Sequence, residues 1–352
     1  MGSNKKGATV TLNTVAEFAE VSPATASRAL NGSKGVSPQT IARVKEAALK
    51  VGYPLDRYER AKTRTRTIGV IVANISSPFY ATLIEAVEEV ASAHGFNLIL
   101  CSSNYDVKRE EKLLNVLRDS GVEGFIIAPI ETSEPFLASL IQEGISIVQV
   151  DRYIEGSSYC DVVTADHFQG AHDATKYLLG LGYRQIGILA GPQNHITGQE
   201  RLRGYLQAFK DANLEPLQDH IHIGNFSQAW AYSATTEMVR TAPLPEALLV
   251  SNLEMTIGAI KAFKELHISI PDDVGFVGFD EFDLASVMDP PITTIEQPTH
   301  TIGTTAADLL IHRIKQGMRK DKPVFIKFNT RLNIRNSVRT LVQNNTSATN
   351  QK

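Results

Sequence analysis

The stretch TLNTVAEFAEVSPATASRALN, residues 11–31, has the pattern of two short helices joined by a tight turn. Thr14 is a suitable N-cap for the first helix. The apolar residues that follow it at helical spacing are Val15, Ala16, Phe18 and Ala19. The second helix begins at Ser22-Pro23, a cap followed by a first-turn proline, and ends near Asn31-Gly32. This arrangement predicts a helix-turn-helix.

The predicted second helix has one buried and one exposed side. Ala26, Ala29 and Leu30 are expected to face inward. The residues left on the outside are Pro23, Ala24, Thr25, Ser27 and Arg28. That surface is small, polar and singly basic, so it can enter a DNA major groove without steric hindrance. Taken alone, the stretch is also compatible with a helical corner that has no role in DNA binding.

The continuation of the chain favours a DNA-binding unit. Ser37-Pro38 is a second cap followed by proline, and Gly52-Tyr53-Pro54 ends the helix that it starts. The apolar stripe of this third helix contains Ile41, Val44, Ala47, Ala48 and Val51. Three helices in about fifty residues predict a compact headpiece that spans residues 1–55.

Composition is that of an ordinary globular protein of two or three domains. The chain has 352 residues, of which 43% are hydrophobic and 21% charged. No apolar run approaches the roughly 20 residues that a membrane span requires, and no apolar segment follows Lys5-Lys6 as in a secretory signal. Neither Cys101 nor Cys160 has a CxxC partner, so we expect no structural disulfide, no zinc site and a cytoplasmic location.

The net charge of −3 conceals an asymmetry along the chain. Residues 1–67 contain 12 Lys and Arg against 5 Asp and Glu, whereas the remainder contains 23 against 33. A basic segment on an acidic body indicates a polyanionic partner for the first segment only. A solvated basic tail would give the same count, but the helix-turn-helix within it favours nucleic acid.

After Thr67 the pattern alternates between strands and helices. Apolar runs predict strands at 68–72, 97–101, 124–128, 146–150, 161–163, 185–189, 220–223, 247–250 and 274–279. Continuous apolar strands separated by amphipathic helices predict parallel sheets covered on both faces. The fold class is therefore α/β, with two halves of similar size and a cleft between them.

The sequence resembles the lactose-repressor (LacI-type) family of transcription regulators. The segments that carry the resemblance are VAEFAEVSPATASRALNG, VSPQTIARV, VGYP and, at residues 67–80, TIGVIVANISSPFY. The resemblance implies a periplasmic-binding-protein-like core at 67–340, crossed by the chain near Asp166, Pro298 and Pro323. Lobe one is then about 67–165 and 299–323, and lobe two about 166–297 and 324–340. A polar tail at 341–352 is expected to be disordered.

The resemblance also assigns a hinge to residues 56–66. In the family this segment folds on the operator and inserts a leucine into the minor groove. Here Lys62 occupies the position expected for that leucine, and the segment is about two residues short. Either Leu55 or Tyr58 takes the wedge role, or the hinge contacts phosphates. The phosphate contacts would then come from Arg57, Arg60 and Lys62.

A set of polar and aromatic residues near strand ends is expected to bind an effector. Sugar-like ligands need planar hydrogen-bonding groups and an aromatic face. The candidates are Asn74, Phe79, Asp151, Arg152, Arg201, Phe226, Asn252, Asp280 and Gln297. Arg201 lies in an R-x-x-G-Y segment that matches the family, where the arginine forks onto the ligand.

Several of these candidates also have a purely structural interpretation. Phe79 and Phe226 are compatible with core positions, and Asp280 with a turn cap. Asp166 fits a crossover or the edge of the cleft. Leu253 stands where the family commonly has aspartate, which predicts either a drier pocket on that side or a less hydroxylated ligand.

No catalytic or metal-binding motif is present in the sequence. G-x-S-x-G, H-E-x-x-H, the phosphate loop and G-x-G-x-x-G are all missing, and His220 and His222 have no recognisable third ligand. We therefore expect no cofactor, no metal and no enzymatic activity. A solute-binding receptor with the same core is disfavoured by the basic headpiece.

The expected function is a DNA-binding transcription regulator, usually a repressor, controlled by a small molecule. By hypothesis Pro23, Ala24 and Arg28 face bases, whereas Thr25, Ser27, Asn31 and Ser37 contact phosphates. The further predicted DNA contacts are Thr11, Leu12, Asn13, Ser22 and Tyr53. Because each headpiece makes few base contacts, we expect a homodimer on a palindromic site in double-stranded DNA. The sequence shows no leucine heptad of the kind that forms tetramers, so a dimer is favoured over a tetramer. Some members of the family also respond to a phosphorylated carrier protein, which would bind the outside of lobe one.

Overall fold

The computed structural model describes residues 11–30, 36–53, 65–130, 134–156, 159–241, 243–317 and 322–341. The chain forms two compact units, residues 1–65 and residues 66–352. The predicted hinge contacts Arg57, Arg60 and Lys62 lie outside the described residues, as does Asn31.

The described residues of the first unit form three helices, α1 (Leu12–Phe18), α2 (Pro23–Leu30) and α3 (Pro38–Val51). The N-cap of α1 is Thr11 instead of the predicted Thr14, because the two threonines form a reciprocal capping box in which Thr14 occupies the third helical position. Ser37 caps α3, Pro38 opens it, and Gly52 ends it with a φ of 72°.

The core of the first unit confirms the predicted inner face of α2. Ala26, Ala29 and Leu30 are buried there, and Val44 of α3 packs in the same cluster. Phe18 departs from the predicted apolar face because its side chain is 57% exposed. The next residue, Ala19, is buried in the core cluster, so Phe18 lies on the other side of the chain at the end of α1.

The second unit contains two six-stranded sheets. The first sheet has the order β11-β5-β4-β3-β1-β2, and its strands are β1 (Thr67–Val72), β2 (Asn97–Ser102), β3 (Gly124–Ile127), β4 (Ser146–Val150), β5 (Asp161–Ala165) and β11 (Phe325–Phe328). All of its pairings are parallel. Strand β1 is buried almost throughout, as its apolar sequence requires, whereas the edge strand β2 leaves Ile99 and Leu100 exposed.

The second sheet has the order β12-β10-β9-β8-β6-β7. Its strands are β6 (Ile186–Ala190), β7 (Ile221–Ile223), β8 (Ala247–Val250), β9 (Gly275–Phe279), β10 (Thr293–Glu296) and β12 (Arg331–Asn333). Strand β12 pairs with β10 in the antiparallel sense, and the other pairings are parallel.

Helices cover the faces of both sheets. They are α4 (Pro78–Ala93), α5 (Val107–Asp119), α6 (Glu134–Gln142), α7 (His167–Gly180), α8 (Ile196–Asp211), α9 (Gln228–Thr241), α10 (Leu253–Glu265) and α11 (Thr299–Gln316). Two short 3-10 turns occur at Gln218–His220 and Asp283–Ser286. Apolar side chains of α4 and α11 form one cluster with the first sheet, and those of α7 and α8 form one with the second. Helices and strands alternate through much of this unit as the sequence predicts, but strands β10, β11 and β12 were not predicted.

The last crossing between lobes differs from the predicted position near Pro323. Strand β11 pairs with β5 in the first sheet, so the chain stays in lobe one as far as Phe328. It then enters the second sheet at Arg331, the first residue of β12. The amide of Asp166 donates to the Phe328 carbonyl at 2.7 Å, which places these two crossings side by side.

The C-terminal end of the described chain is attached to lobe two. The Leu341 amide donates to the Leu181 carbonyl at 2.8 Å, and the Leu341 side chain packs against the core of that lobe. The predicted disordered tail therefore does not include Leu341. Its remaining residues, 342–352, lie outside the described residues.

Candidate functional site

The exposed side of α2 has the small surface that the sequence predicts. Pro23, Ala24 and Arg28 are exposed, and Thr25 is partly buried. The Arg28 Nε donates to the Ala24 carbonyl at 3.2 Å, so the guanidinium is folded back along its own helix. Ser22 Oγ accepts from the Thr25 amide at 3.1 Å and caps the helix.

The other predicted DNA contacts within the described residues lie mostly at helix starts. Thr11 caps α1, and Ser37 Oγ accepts from the Thr40 amide at 3.2 Å at the start of α3. Asn13 is exposed, and the partly buried positions are Leu12, Ser27 and Tyr53. Helix starts present backbone N–H groups, which are suitable donors for phosphate oxygens.

One cavity between the two lobes brings together eight of the nine predicted effector residues. It is bordered by Phe79, Asp151, Arg152, Arg201, Phe226, Asn252, Asp280 and Gln297. Asn74 is the exception, because its Oδ1 accepts from the Ser76 amide at 2.9 Å and supports the turn before α4. The predicted residues reach the cavity from both lobes.

Five further residues border the cavity without having been predicted: Ser77, Tyr80, Tyr105, Thr197 and Glu254. Tyr80 is adjacent to the predicted Phe79, and Thr197 lies in the first turn of the helix that carries Arg201. Tyr105 follows the end of β2, where the strand-end criterion used for the other candidates would have found it. Glu254 gives this side a carboxylate beside Leu253, so the cavity is not the drier one that Leu253 suggested.

Asp151 is a buried carboxylate directly after β4, with a φ of 60°. Its Oδ2 accepts from the Tyr80 hydroxyl at 2.8 Å. Burial raises the pKa of Asp151, while the charges of Arg152 and Arg201 and the hydrogen bond from Tyr80 act in the opposite direction. The carboxylate is therefore tied to its surroundings at several points.

The Arg152 guanidinium lies between two aromatic rings from opposite lobes. Its Cζ is 5.3 Å from the ring centroid of Tyr105 and 5.4 Å from that of Phe226. The side chain is buried, and within the described part of the chain its Nε and Nη1 have no hydrogen-bond acceptor. The two ring contacts leave the Nε and Nη1 donors of this cation unused.

Arg201 is anchored from three sides. Its Nη1 donates to the Ser251 carbonyl, and its Nη2 lies 3.2 Å from His167 Nδ1. Its Cζ is 3.8 Å from the ring centroid of Phe279. Burial lowers the pKa of Arg201, against the effect of the nearby carboxylates. Its Nε is buried without an acceptor among the described residues.

His167, which the sequence did not single out, holds Arg201 in place. Arginine is only a donor, so Nδ1 of His167 must accept and the ring proton must reside on Nε2. That nitrogen faces the Asp151 carbonyl at 3.3 Å. Burial and the adjacent Arg201 lower the pKa of His167 well below its usual value. The neutral ring therefore connects the strand end of lobe one to the arginine of lobe two.

The opposite wall of the cavity is acidic and internally hydrogen-bonded. Asp280 accepts from Gln297 Nε2 at 2.6 Å and from the Leu253 amide at 3.3 Å. Asn252 caps α10 and donates from Nδ2 to Glu254 at 3.0 Å. Burial raises the pKa of Glu254. Each of these carboxylates already has a donor within the protein.

A second group of contacts joins the lobes beside the cavity. Glu200 of α8 accepts from Lys327 Nζ at 3.1 Å and from the Tyr153 hydroxyl at 3.3 Å. Asp166 was predicted for the crossover or the cleft edge. It is the N-cap of α7, where its Oδ1 accepts from the Gln169 amide at 2.9 Å. The same oxygen lies 3.8 Å from Lys327 Nζ. We call Glu200, Lys327 and Tyr153 the inter-lobe clasp.

The described residues contain no group of three or more His, Cys, Asp or Glu side chains arranged to hold a metal ion. His220 Nδ1 and His222 Nε2 are buried without a hydrogen-bond partner in that part of the chain. Burial lowers the pKa of His222, with a smaller contribution from His220. In the same described residues, no helix is long and apolar enough to cross a membrane.

Two protein-family models match the chain. Residues 11–54 match bacterial regulatory proteins of the lacI family, and residues 65–336 match periplasmic binding proteins and the sugar-binding domain of the LacI family. The chain belongs to the LacI family of bacterial regulatory proteins. It has the helix-turn-helix and effector-domain architecture of the transcriptional repressors in that family.

The chain is similar to known transcription regulators, and the similarity covers nearly their full lengths. The HTH-type transcriptional repressor PurR of Edwardsiella ictaluri is 32% identical over 86% of this chain and 90% of its own. The ribose operon repressor of Escherichia coli is 30% identical over 87% and 93%. A structure described as a complex of the transcriptional regulator CelR with cellobiose is 30% identical and covers 94% of this chain and 100% of its own, with a TM-score of 0.72.

Proposed function

We propose that this LacI-family protein is a homodimeric transcriptional repressor whose affinity for a palindromic operator is set by a small molecule bound between the lobes. The observation that carries the proposal is the convergence of eight predicted residues on one cavity between the lobes, in a chain that also carries a helix-turn-helix. Relatives named for ribose and cellobiose support a sugar or sugar derivative. The DNA role supports action in the cytoplasm without enzymatic turnover.

The proposed coupling follows from residues that the ligand would contact in both lobes. Tyr80 and Asp151 belong to lobe one, whereas Arg201 and Asp280 belong to lobe two. A ligand that touches both groups binds the closed arrangement more tightly than an open one. The closed arrangement either favours or disfavours DNA binding, which decides between corepression and induction.

Exposed apolar side chains supply a surface for the proposed homodimer. Ile99 and Leu100 are exposed on the edge strand β2, and in lobe two Ile257 and Leu284 border a common groove. Leu284 is 64% exposed. Apolar groups grouped in this way on a soluble-protein surface are typical of interfaces.

The Leu284→Asp variant tests the dimer. We expect sedimentation to show a dimer for the parent protein and at least a tenfold weaker association for the variant, because a carboxylate would be desolvated at the interface. Leu217→Asp is the control, since Leu217 is also exposed and borders no part of that groove. Equal association of the two variants would contradict this placement.

Selection of genomic fragments by the purified protein tests the function as a whole. The selection is repeated with a panel of sugars, sugar phosphates and purines. We expect a palindromic consensus whose recovery changes with one compound, because only a ligand with different affinities for the two lobe arrangements shifts DNA binding. Failure to enrich any sequence with or without ligands would contradict the proposal.

A further inference from the structure

Two arginines that border the cavity have buried N–H groups without hydrogen-bond acceptors among the described residues. Arg152 Nε and Nη1 and Arg201 Nε are buried without an acceptor in the described part of the chain. Arg152 Nε lies 3.8 Å from Asp151 Oδ2, which is too long for a hydrogen bond. Buried N–H groups of a cation are costly when unpaired, so they indicate a missing acceptor.

The two arginines lie close to one aromatic ring. The Cζ of Arg152 is 5.4 Å and that of Arg201 is 5.9 Å from the ring centroid of Phe226. Two buried like charges beside each other repel, and the carboxylates of Asp151 and Asp280 offset part of that repulsion at Arg201. Asp151 serves both in part, but it also accepts from Tyr80.

The carboxylates of the cavity do not remove this donor excess. Asp280 is engaged by Gln297 and by the Leu253 amide, and Glu254 by Asn252. Burial raises the pKa of Glu254, so proton uptake there would lower the negative charge of the site when an anion enters. Gln297 Oε1 is buried without a donor among the described residues and is available to accept from a hydroxyl.

We propose that the effector is a polyhydroxylated anion, a sugar that carries a carboxylate or a phosphate, with Arg152 and Arg201 as its anion-binding pair. This inference rests on the proposed effector role of the same cavity. The guanidinium of Arg152 lies near the rings of Tyr105 and Phe226, and its buried Nε and Nη1 are left to donate to oxygens of the anion. Gln297 then accepts from a hydroxyl of the sugar.

Calorimetry with the full chain, without DNA, tests the charge of the ligand. The carboxylate probes are gluconate, glucuronate and galacturonate, the phosphate probes are glucose 6-phosphate and ribose 5-phosphate, and the neutral probes are glucose, galactose and ribose. We expect at least one anion to bind about tenfold or more tightly than its neutral counterpart. The tighter class identifies carboxylate or phosphate. Neutral sugars that bind as tightly as the anions, or no binding by any anion, would overturn the proposal.

The Arg152→Met variant tests the residue assignment. Methionine keeps an unbranched stem but removes all five donors, so the preference for the anion should fall to about threefold or less. Arg203→Met is the matched control, because Arg203 also lies over an aromatic ring, Phe168, but outside the cavity. Retained anion preference in Arg152→Met would overturn the assignment, and the comparison of probes on the parent protein decides the proposal if this variant does not fold.

DNA binding measured on the same preparations separates the inference from the proposed function. If the parent protein prefers anionic sugars but binds no specific DNA sequence, the repressor role is contradicted and the ligand class still stands. Operator binding that responds only to a neutral sugar would contradict the anionic ligand and leave the repressor role standing.

Discussion

The position of single side chains decides what the cleft can recognise, and His167 shows how indirectly this is done. Its ring touches no open part of the cavity, yet it fixes Arg201 through Nδ1 and Asp151 through Nε2. The contact with Arg201 requires the neutral ring, because Nδ1 must accept there. A charged ring would place a proton against the Arg201 cation.

Protonation of His167 is therefore expected to destabilise the folded protein in acid. Its pKa is lowered in the folded state from a usual 6.5, so the unfolded chain binds more protons once the pH falls below that value. Stability is retained above about pH 6.5 and lost as the pH falls toward the folded pKa, by at most about 1.4 kcal/mol per pH unit. Urea unfolding between pH 8 and pH 5 measures this slope.

The His167→Gln variant provides the comparison for that slope. Glutamine keeps an acceptor and a donor but cannot take up the proton, so its stability should depend less on pH. His300→Gln, at an exposed position, is the control and should retain the slope of the parent protein. A slope unchanged in His167→Gln would contradict the role given to this ring.

Arg28 is the long donor on the exposed side of α2, and its loss should relax DNA specificity. A bidentate contact with guanine contributes about 1–3 kcal/mol of discrimination. We expect Arg28→Ala to lower operator affinity more than affinity for unrelated DNA, measured by fluorescence anisotropy at fixed salt. Arg43→Ala, an exposed arginine of α3, is the control. Equal losses on all sequences would show that Arg28 contacts phosphate only.

At the scale of elements, the close approach of helices α7 and α8 depends on Gly204. A Cβ placed there would lie 2.2 Å from the Phe168 carbonyl oxygen and 2.9 Å from the His172 amide. Backbone atoms cannot yield as a flexible side chain can. The two helices would have to separate. Arg201 lies one turn before Gly204 in α8, so this separation would also displace Arg201.

Gly204→Ala is expected to lower the free energy of unfolding by about 1–3 kcal/mol, because the helix pair is overpacked. Gly180→Ala is the matched control in α7, where a Cβ meets no atom within 4 Å. That control should be neutral or stabilising by about 0.5–1 kcal/mol through reduced chain entropy. Chemical denaturation of both variants measures the difference, and equal values would contradict the packing argument.

Much of the element order could be predicted from sequence because buried parallel strands have continuous apolar runs. Strands β10, β11 and β12 were not predicted, and for β11 there is a physical reason. Its residues are only partly buried or exposed at the sheet edge, and nothing in FIKF specifies which lobe it pairs with. The N-cap of α1 was missed by one turn, because Thr11 and Thr14 are equally suitable caps until their mutual contact is known.

The residues of the candidate site that follow strand ends could be predicted from the sequence. The contacts between residues that are far apart in sequence could not. Asp151, Arg201 and Asp280 could be named from position and residue type. The connection of Arg201 to His167 spans 34 residues, and that of Glu200 to Lys327 spans 127. No local pattern encodes such pairs, so tertiary structure is needed to find them.

At the scale of the whole molecule, the inter-lobe clasp contributes to closure. Glu200 is nearly buried and receives Lys327 and Tyr153 from the other lobe. We expect Glu200→Gln to weaken effector binding roughly threefold to tenfold, since the binding-competent closed population falls. Calorimetry measures the affinity, and Glu215→Gln, at an exposed position, is the control. Unchanged affinity in Glu200→Gln would show that the clasp does not influence closure.

The late placement of β11 and β12 has a consequence for how the chain is made. Lobe one obtains its last strand only at residues 325–328, and lobe two only at 331–333, so neither sheet is complete until synthesis is nearly finished. The headpiece helices, by contrast, are complete by Val51. During translation the DNA-reading unit is therefore expected to fold first, long before the domain that regulates it can close on a ligand.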